Sequence, residues 1–426
     1  MKVYLETYGC SANKSDSEII LGLLKKNNFE ITYSPITSDV NIINTCIVKT
    51  PTAKKMESRI KYLSSLGKPL IVAGCMSKAE KERIEKIAPK ASMISPDAIE
   101  KIVEVVNATL EGKKMIVLEG KVEKPCLPFL PFNKIISIVQ ISSGCLSTCS
   151  FCETRFARGI LKSYKPSLIL EKIKKDLKNG FKEFWITSQD NSCYGFDIKT
   201  DIGELLKCIS QIEGEFYVRI GMMNPYHLIK NREILFKLIE VLKDKKFFKF
   251  IHLPLQSGSN KILKDMNRNH SIEEYIEIVN ILRKEIPEIR IETDIIVGYP
   301  TETEEDFEKT IETINKLKFD AVNISKFSSR PKTPASKLKE LDVNIVKKRS
   351  KILSEIVKEI LLEKNKRYFN NKIDVFIDEI GTKPRSFIGR SMNYLPVVVK
   401  SSDYLLGREE KITIKEIRSN FIIGEL

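Results

Sequence analysis

The sequence predicts an α/β protein in three parts: an N-terminal Rossmann-like α/β domain, a central partial (β/α)6 barrel and a small C-terminal OB-like β-barrel. Strand patterns alternate with helical patterns in two successive series, as they do in parallel sheets. A proline-rich segment, Lys124 to Pro131, separates the two series. Beyond Tyr368 the pattern changes to short strands separated by turns, which is typical of a small barrel.

The length of 426 residues exceeds that of one ordinary domain. We expect an N-terminal domain at residues 1–112, a linker at 113–132, a core at 133–365 and a C-terminal domain at 366–426. The linker should be semi-rigid, because proline sustains neither a helix nor a central strand.

The composition predicts a globular cytoplasmic protein with a polyanionic partner. No apolar run reaches the roughly 18 residues of a membrane span, and the start of the chain does not resemble a signal peptide. Nine cysteines without an export signal indicate a reducing compartment. Lys and Arg (71) exceed Asp and Glu (56), which suits RNA, although a lysine-rich proteome would produce the same surplus.

In the N-terminal part, three predicted strands each lead to a cysteine. The strands cover residues 2–8, 40–45 and 69–74, and the cysteines are Cys10, Cys46 and Cys75. Helical patterns follow at Ser15 to Lys26, beyond Pro51, and at Lys78 to Ile87. Parallel strands end at one edge of a sheet, so we expect the cysteines to be first loop residues that meet in space. One such cysteine would more often be a small core residue, but three equivalent positions predict the ligands of a cluster.

In the central part, strand patterns again alternate with amphipathic helices. The strands are expected at 136–142, 183–188, 216–222, 248–255, 290–297 and 321–327, with helices that include Leu168 to Leu177, Ile272 to Leu282 and Glu304 to Leu317. Functional groups of such barrels lie where the strands end. Polar and glycine-containing motifs do follow the strands, at Thr187 to Asp190, Gly221-Met222, Pro254 to Ser257 and Gly298 to Pro300.

The loop from Gly144 to Gly159 carries Cys145, Cys149 and Cys152 with the spacing C-x3-C-x2-C. Three thiolates on one compact loop can converge on a soft metal centre. Tetrahedral zinc requires a fourth protein ligand, and none follows at finger or ribbon spacing. An iron–sulfur cubane held by three cysteines leaves one iron open for a ligand. A zinc knuckle or three reduced thiols are the alternatives.

This loop, with Phe151 before its third cysteine, resembles the signature of the radical S-adenosylmethionine (SAM) superfamily. Together with the dispersed cysteines, the chain resembles the radical-SAM methylthiotransferases over nearly its whole length. The matching motifs are Thr7 to Asn13, Asn44 to Cys46, Gly74 to Met76, Gly144 to Gly159, His252 to Ser259 and Asp294 to Pro300. The resemblance implies two [4Fe-4S] clusters, one per cysteine triplet, SAM as both methyl donor and radical source, and a C-terminal TRAM RNA-binding domain.

The resemblance also implies which residues bind SAM. Thr187, Ser188 and Gln189 would meet the methionine amino group, Phe151 and Gly298 the adenine, and Arg219 and Gln256 the polar parts. For each polar residue alone, a strand-end cap is an equally good interpretation. We expect His252 to be a buried histidine bonded to backbone, and His227 and His270 to lie on the surface. Cys126 is expected to be an incidental thiol, and Cys193 and Cys208 match no ligand spacing.

Thr7 to Ser11 and Cys152 to Gly159 are similar to the archaeal and eukaryotic branch of the family, which implies methylthiolation of N6-threonylcarbamoyladenosine beside the anticodon of tRNA. Gln189 stands where that branch usually has Glu, and resembles the isopentenyladenosine enzymes. Residues 191–193 also depart from its usual Thr-Gly-Ala. Arg155 and Arg158 could contact the threonylcarbamoyl carboxylate, with cluster or RNA-backbone support as the alternative.

The expected partners are tRNA, a ferredoxin- or flavodoxin-like electron donor and an unidentified sulfur donor, with no membrane. Lys383, Arg385 and Arg390 are the expected RNA contacts of the C-terminal barrel. A basic amphipathic helix over Ile345 to Arg367 either faces RNA or is simply solvated. Its predicted apolar stripe is Ile345, Ile352, Ile356 and Ile360. A ribosomal-protein methylthiotransferase and a non-catalytic iron–sulfur or zinc RNA-binding protein remain alternative functions.

Overall fold

The structure, a computed structural model, describes residues 1–47 and 50–426, and the side chains of these residues apart from 50–54. Its helices and strands follow the predicted order of an α/β domain, a partial barrel and a small closed barrel. The predicted fold class is therefore confirmed. In the described ranges, no helix has the length and apolar character needed to cross a membrane.

The N-terminal part is a six-stranded parallel sheet in the order β2-β1-β3-β4-β5-β6. Its elements are β1 Lys2–Thr7, α1 Ser11–Lys26, β2 Glu30–Thr32, β3 Val40–Thr45, α2 Thr50–Ser65, β4 Leu70–Gly74, α3 Cys75–Ala79, α4 Lys81–Ile87, β5 Ser92–Ile94, α5 Ile102–Leu110 and β6 Ile116–Val117. Apolar clusters cover both faces, one from α1 and α5 and the other from α2, α3 and α4. Burial on both faces explains why β3 and β4 are continuous buried runs.

Three details of this part differ from the prediction. Helix α1 begins at Ser11, not near Ser15, and Cys10 is its N-cap residue. Cys75 is the first residue of the short helix α3 and not a loop residue. Both cysteines still follow a strand directly or after a short turn. In addition, β6 pairs with β5, so part of the segment expected to be a linker completes the sheet.

The central part contains β7 Ile136–Gln140, β8 Ser142–Ser143, α6 Thr154–Arg158, β9 Lys162–Ser163, α7 Pro166–Lys178, β10 Glu183–Thr187, α8 Ile202–Ser210, β11 Tyr217–Ile220, α9 Pro225–Lys230, α10 Arg232–Lys243, β12 Phe250–His252, α11 Asn260–Asp265, α12 Ile272–Glu285, β13 Arg290–Val297, α13 Glu304–Leu317, β14 Ala321–Lys326 and α14 Val343–Asn365. Parallel pairing gives the sheets β7-β10-β11 and β12-β13-β14. A bridge between Val218 and Phe247 continues one sheet into the other. The six strands thus form the predicted partial barrel.

Helix α14 packs on the barrel through a different stripe from the one predicted. Its buried apolar residues are Val346, Leu353, Val357 and Leu361. Ile345 is 44% exposed, whereas Ile352, Ile356 and Ile360 are partly buried at the margin of the core. Both stripes have helical spacing, so periodicity alone could not choose between them. The buried Arg349 on the same face forms an ion pair with Glu302, with Nη1 and Oε2 2.6 Å apart.

The C-terminal part is a closed barrel of five strands in the order β15-β16-β17-β19-β18. The strands are β15 Lys372–Ile380, β16 Ser386–Ser391, β17 Pro396–Lys400, β18 Glu409–Ile417 and β19 Ile422–Glu425. This barrel packs against the starts of β10, β11 and β12. Tyr217 and Phe376 have ring centroids 4.9 Å apart, and Phe248 and Tyr394 have theirs 4.7 Å apart. The small barrel therefore covers the amino ends of these strands and leaves their carboxyl ends to the site.

Candidate active site

A cavity of about 410 Å³ lies at the carboxyl ends of the barrel strands, between the central part and the N-terminal sheet. All six cysteines of the two predicted triplets line it. The remaining lining comes mainly from residues in or after the last residues of β7, β10, β11 and β12, together with Asp294 within β13. The structure therefore brings two triplets, distant in sequence, to one cavity.

Two glycines allow the dispersed triplet to converge. Gly9 and Gly74 have φ values of +116° and +88°, and each precedes a cysteine. A Cβ on Gly9 would lie 2.8 Å from the Cβ of Cys46, and one on Gly74 would lie 2.5 Å from the Thr45 carbonyl oxygen. Only glycine combines this backbone conformation with such close approach. The glycine before Cys10 and Cys75 is thus required by the packing of the three loops.

Asn13 and Arg158 hold these loops in place. The Asn13 amide donates to the carbonyl oxygens of Tyr8 and Thr45, at 2.9 and 2.8 Å. Arg158 donates from Nη2 to Asn13 Oδ1 at 2.7 Å and from Nε to Cys75 Sγ at 3.4 Å. Arg158 is predicted as a substrate contact, with cluster or RNA-backbone support as the alternative, and its side chain is 1% exposed. The structure instead places its guanidinium against the dispersed cysteine triplet.

A buried charge network supports Arg158. Its Nη2 lies 2.8 Å from Asp16 Oδ2, and Lys124 Nζ lies 2.5 Å from Asp16 Oδ1. Gln140 of β7 also donates to Asp16 Oδ1, at 2.9 Å. Burial would raise the pKa of Asp16, but the charges of Arg158 and Lys124 outweigh it and lower the pKa. Asp16 therefore stays ionised and joins helix α1, the expected linker and the central part.

The loop triplet has its own arginine. Arg268, which follows α11, donates from Nη1 to Cys149 Sγ at 3.4 Å and from Nη2 to the Pro254 carbonyl oxygen at 2.8 Å. Burial raises the pKa of the Cys145 thiol to about 12 and also raises that of Cys152. These thiols are protonated at neutral pH unless a cationic centre displaces the proton. In each triplet, therefore, one cysteine sulfur accepts a hydrogen bond from an arginine: Cys75 from Arg158 and Cys149 from Arg268.

The donor set fits an iron–sulfur cluster better than zinc. With Zn–S bonds of about 2.3 Å, tetrahedral zinc would draw sulfurs to about 3.8 Å from one another. In the part of the chain that is described, neither cysteine triplet is among the groups whose ligand atoms all lie within 4.8 Å. Three thiols at wider spacing suit a larger cluster with an open iron. This argues against the zinc alternative.

Most of the predicted SAM-binding residues line the cavity, namely Phe151, Thr187, Ser188, Gln189, Arg219 and Gln256. Gln189 Oε1 accepts the Gly144 N–H at 2.7 Å. Thr187 Oγ1 lies 2.8 Å from Ser11 Oγ and so links β10 to the N-terminal part. Gln256 has φ +77°, and its Oε1 has no hydrogen-bond partner among the described residues. A buried amide oxygen at the cavity is available for a ligand.

Gly298 does not line the cavity. Its N–H donates to Glu302 at 2.8 Å, and a Cβ there would lie 2.5 Å from Val346 of α14. The structure thus gives Gly298 a packing position beside α14. Its expected adenine contact has no support from the cavity lining.

The three histidines differ from the prediction. His252 lines the cavity and pairs with the Asp294 side chain, not with backbone, at 3.1 Å between Nε2 and Oδ2. Burial would lower the pKa of His252, but the hydrogen bond and charge of Asp294 outweigh it and raise the pKa. His227 and His270 were expected on the surface but are 7% and 8% exposed. Aromatic neighbours bury them: Phe196 and Tyr226 contact His227, and Tyr275 stacks on His270.

The predicted RNA and substrate contacts separate into two groups. Arg155 lines the cavity, and Lys383 and Arg385 are exposed. Arg390 is instead paired with Asp378, at 3.0 Å between Nε and Oδ2, and with Glu379. It stands 5.0 Å from the Tyr394 ring at the interface with the central part. Arg390 therefore stabilises an interface and does not offer a free cation to RNA.

The model of the Radical SAM superfamily matches residues 139–314, and that of Uncharacterized protein family UPF0004 matches residues 2–95. A Pyrococcus abyssi protein named "Probable threonylcarbamoyladenosine tRNA methylthiotransferase" is 40% identical over all of this chain and 99% of its own length. The Drosophila melanogaster protein named "Threonylcarbamoyladenosine tRNA methylthiotransferase" is 32% identical over all of this chain and 77% of its own. The chain belongs to the threonylcarbamoyladenosine tRNA methylthiotransferase family.

This membership confirms the family and branch predicted from the sequence. Solved structures agree at the level of fold. The radical SAM methyltransferase TsrM of Kitasatospora setae has a TM-score of 0.58 at 12% identity, covering 79% of this chain and 75% of its own. The cobalamin-dependent SAM radical enzyme OxsB has a TM-score of 0.55 at 13% identity, covering 84% and 55%. At such low identity, these two structures support the fold of the chain and say nothing about its function.

Proposed function

We propose that this protein is a tRNA methylthiotransferase that converts N6-threonylcarbamoyladenosine beside the anticodon to its 2-methylthio derivative. The observation that carries this proposal is the single cavity lined by two cysteine triplets. The reaction replaces an unactivated aromatic C–H bond, which acid–base chemistry does not reach. It therefore requires one site that generates a radical and a second that supplies sulfur.

Each triplet would hold one [4Fe-4S] cluster by three thiolates. When bound, the clusters and SAM supply the radical, the methyl group and the sulfur. The protein's part is to hold the two sites face to face. The hydrogen bond between Ser11 and Thr187 and the ion pair between Asp16 and Arg158 fix the N-terminal loops on the central part. The bond from Gly144 to Gln189 anchors the cysteine loop to β10.

SAM would lie against the carboxyl ends of the strands. Thr187, Ser188, Gln189, Arg219, Gln256 and Phe151 are the proposed binding residues, because they line the cavity beside the loop triplet. The amide oxygen of Gln256 offers an acceptor to the ligand. Gln189 uses its amide oxygen to accept the N–H of Gly144. Because Gln189 has this structural role, its presence in place of Glu is a weaker argument for isopentenyladenosine as the substrate.

Arg155 is the proposed contact for the threonylcarbamoyl carboxylate. It lines the same cavity as the cysteines and is partly buried, and a guanidinium binds a carboxylate through two hydrogen bonds. Arg158 is already engaged by Asp16, Asn13 and Cys75. An isopentenyl group is apolar and would not use such a cation.

The remaining expectations are proposals of the same kind. We propose a cytoplasmic enzyme with domains at 1–112, 133–365 and 366–426. Of the expected linker at 113–132, Ile116–Val117 belongs to the N-terminal sheet. The partners of the enzyme would be tRNA, a ferredoxin- or flavodoxin-like electron donor and a sulfur donor. Lys383 and Arg385 of the C-terminal barrel are the proposed RNA contacts, because both are exposed cations on a barrel of the OB type.

The nucleoside is tested by offering purified, reconstituted enzyme two tRNAs separately, one with threonylcarbamoyladenosine and one with isopentenyladenosine. With dithionite, SAM and a sulfur source, we expect methylthio product from the first tRNA only, measured by mass spectrometry of nucleosides. Arg155→Gln should raise KM for that tRNA without changing cluster content. Product from the isopentenyl tRNA alone would reject the proposed substrate.

A further inference from the structure

Three potential metal ligands from separate segments meet beside the cavity. Asp190 follows β10, Cys193 ends the short 3-10 turn Asn191–Cys193, and His227 lies in α9. One ligand atom from each lies within 4.8 Å of the other two. The exposed fractions of the three residues are 1%, 0% and 7%. The proposed reaction does not use these three side chains.

The hydrogen bonding leaves two ligand atoms unused. Asp190 Oδ1 accepts from Ser192 N, Ser192 Oγ and Asn224 N, at 3.0, 2.5 and 2.9 Å. Asp190 Oδ2 and His227 Nε2 have no hydrogen-bond partner within the described residues, and they lie 3.7 Å apart. A buried polar atom without a partner is destabilising, because it has lost its hydrogen bonds to water. A shared cation would satisfy both atoms.

We propose that Asp190 Oδ2, Cys193 Sγ and His227 Nε2 bind one zinc ion. Carboxylate oxygen, thiolate and imidazole nitrogen are the ligands that zinc takes in proteins. Bonds of about 2.0–2.3 Å place tetrahedral ligand atoms roughly 3.3–3.8 Å apart, which requires little movement of these side chains. Phe196 and Tyr226 pack on the imidazole, with centroids 5.5 and 5.2 Å away, and keep it from turning.

The fourth coordination position would face the cavity. Asp190 lines the central cavity, whereas Cys193 and His227 are not among its lining residues. Zinc with three protein ligands takes water or another small ligand as the fourth. The site is distinct from the two cysteine triplets, because none of its ligands belongs to either.

The ion would act as a structural clamp on the cavity wall. Asp190 is adjacent in sequence to Gln189, whose side chain holds the N–H of Gly144. Asn224, which donates its N–H to Asp190, also donates from its side chain to Ser147 Oγ at 2.7 Å, within the cysteine loop. Zinc would thus tie the loops after β10 and β11 to the loop that carries Cys145, Cys149 and Cys152.

Metal analysis of the full chain tests the site. After reconstitution of iron and sulfide, the protein is incubated with excess zinc and desalted, and both metals are measured by mass spectrometry. We expect one zinc per chain beside about eight irons, the number for two cubanes. Cys193→Ala and His227→Gln should lose the zinc and keep the iron. Cys208→Ala and Cys126→Ala, which alter exposed thiols, should keep both.

A spectrum identifies the ligand. Cobalt in place of zinc should give a thiolate-to-metal charge-transfer band that is present with Cys208→Ala and absent with Cys193→Ala. Cys193→Ser provides a variant of similar size if alanine prevents folding, and it too should lose the band. Wild-type protein without bound zinc, or zinc retained by Cys193→Ala, would overturn the proposal.

Discussion

Asp16 is the central residue of the buried charge network beside Cys75. It is the carboxylate between two buried cations, Lys124 and Arg158, and the side chains of all three are 1% exposed. The three residues therefore carry a net positive charge beside Cys75, which Arg158 contacts. Three thiolates at a cluster are negatively charged, so an adjacent buried cation offsets part of that charge. The arrangement suits an occupied cluster site.

Asp16→Asn should destabilise the protein by about 3–5 kcal/mol, because it leaves two buried cations without their counter-charge. Urea unfolding followed by circular dichroism measures the loss. Glu111→Gln is the control: its partner Lys113 is on the surface, and exposed ion pairs contribute little. A change in Asp16→Asn as small as that in the control would mean that solvent already reaches the network.

Among single residues, the sequence identified the cysteines and gave Arg158 cluster support as an alternative role, but it did not identify Asp16, Lys124 or Arg268. A cysteine triplet in one loop has a fixed spacing, and three cysteines after parallel strands must lie at one edge. No sequence pattern predicts that Asp16 contacts Lys124 and Arg158, because more than 100 residues separate Asp16 from each cation. Arg268 likewise reaches Cys149 from 119 residues away. Only the packed structure brings such residues together.

The two triplets belong to different elements, and this predicts a division of labour. Cys149→Ala removes a ligand of the loop triplet, so reductive cleavage of SAM to 5′-deoxyadenosine should stop. Cys46→Ala, in the N-terminal part, should leave cleavage within about twofold of wild type while methylthio product is lost. Chromatography of both products distinguishes the variants. Normal SAM cleavage by Cys149→Ala would show that the triplets are assigned the wrong way round.

A second element-scale feature is the acidic pair between β10 and β15. Glu183 and Asp378 are both buried, and Glu183 Oε2 and Asp378 Oδ1 have no hydrogen-bond partner among the residues described. Burial and the charge of Asp378 hold the pKa of Glu183 well above its usual value. Burial also raises the pKa of Asp378 to about 6, against the opposing charge of Arg390. One proton held between the two carboxyls would stabilise the interface.

The stability of this interface should therefore fall as pH rises. Both carboxyls have raised pKa values in the folded state, so their contribution is complete below the usual carboxyl range. It falls as pH rises, through about 6 for Asp378 and through the raised pKa of Glu183. Glu183→Gln keeps a hydrogen-bond donor towards Asp378 and should flatten the dependence of Tm on pH between about 5 and 8. Scanning calorimetry compares the two proteins. Parallel pH profiles would exclude the shared proton.

The first and last residues of helices and strands could be predicted from the sequence where the hydrophobic pattern is strong. Val40–Thr45 and Glu304–Leu317 were predicted to the residue, because turn residues or capping residues flank them. The buried face of Val343–Asn365 was displaced by one position, since two apolar stripes lie side by side on that helix. Which stripe is buried depends on β14 and α13, and their positions are not encoded in the helix itself.

In the whole molecule, the C-terminal barrel lies against the amino ends of the strands of the central part. RNA binding therefore cannot be tested simply by deleting the C-terminal barrel. Deleting residues 368–426 would expose Phe248 and Phe250, which are each 2% exposed in the intact chain. Loss of binding by such a truncated protein would then reflect unfolding as much as lost contacts. Surface substitutions avoid that difficulty.

Lys383→Gln combined with Arg385→Gln should weaken tRNA binding and reduce its salt dependence by about one unit of slope per lost phosphate contact. Filter binding across a series of salt concentrations measures both. Lys284→Gln with Lys316→Gln removes the same charge from exposed positions on the outer helices and serves as the control. Equal slopes for the two double variants would place the RNA elsewhere, with the basic face of Val343–Asn365 the next surface to test.

Because the amino end of the central barrel is covered, SAM and tRNA must both enter from the carboxyl end, and this affects the order in which they bind. SAM and the target nucleoside both have to reach a cavity at the carboxyl ends of the strands, where the N-terminal loops already form one wall. A tRNA bound across that mouth would obstruct exchange of the smaller molecule beneath it. Binding should accordingly be ordered, with SAM loading first, and tRNA should trap a preloaded labelled SAM against chase by unlabelled SAM.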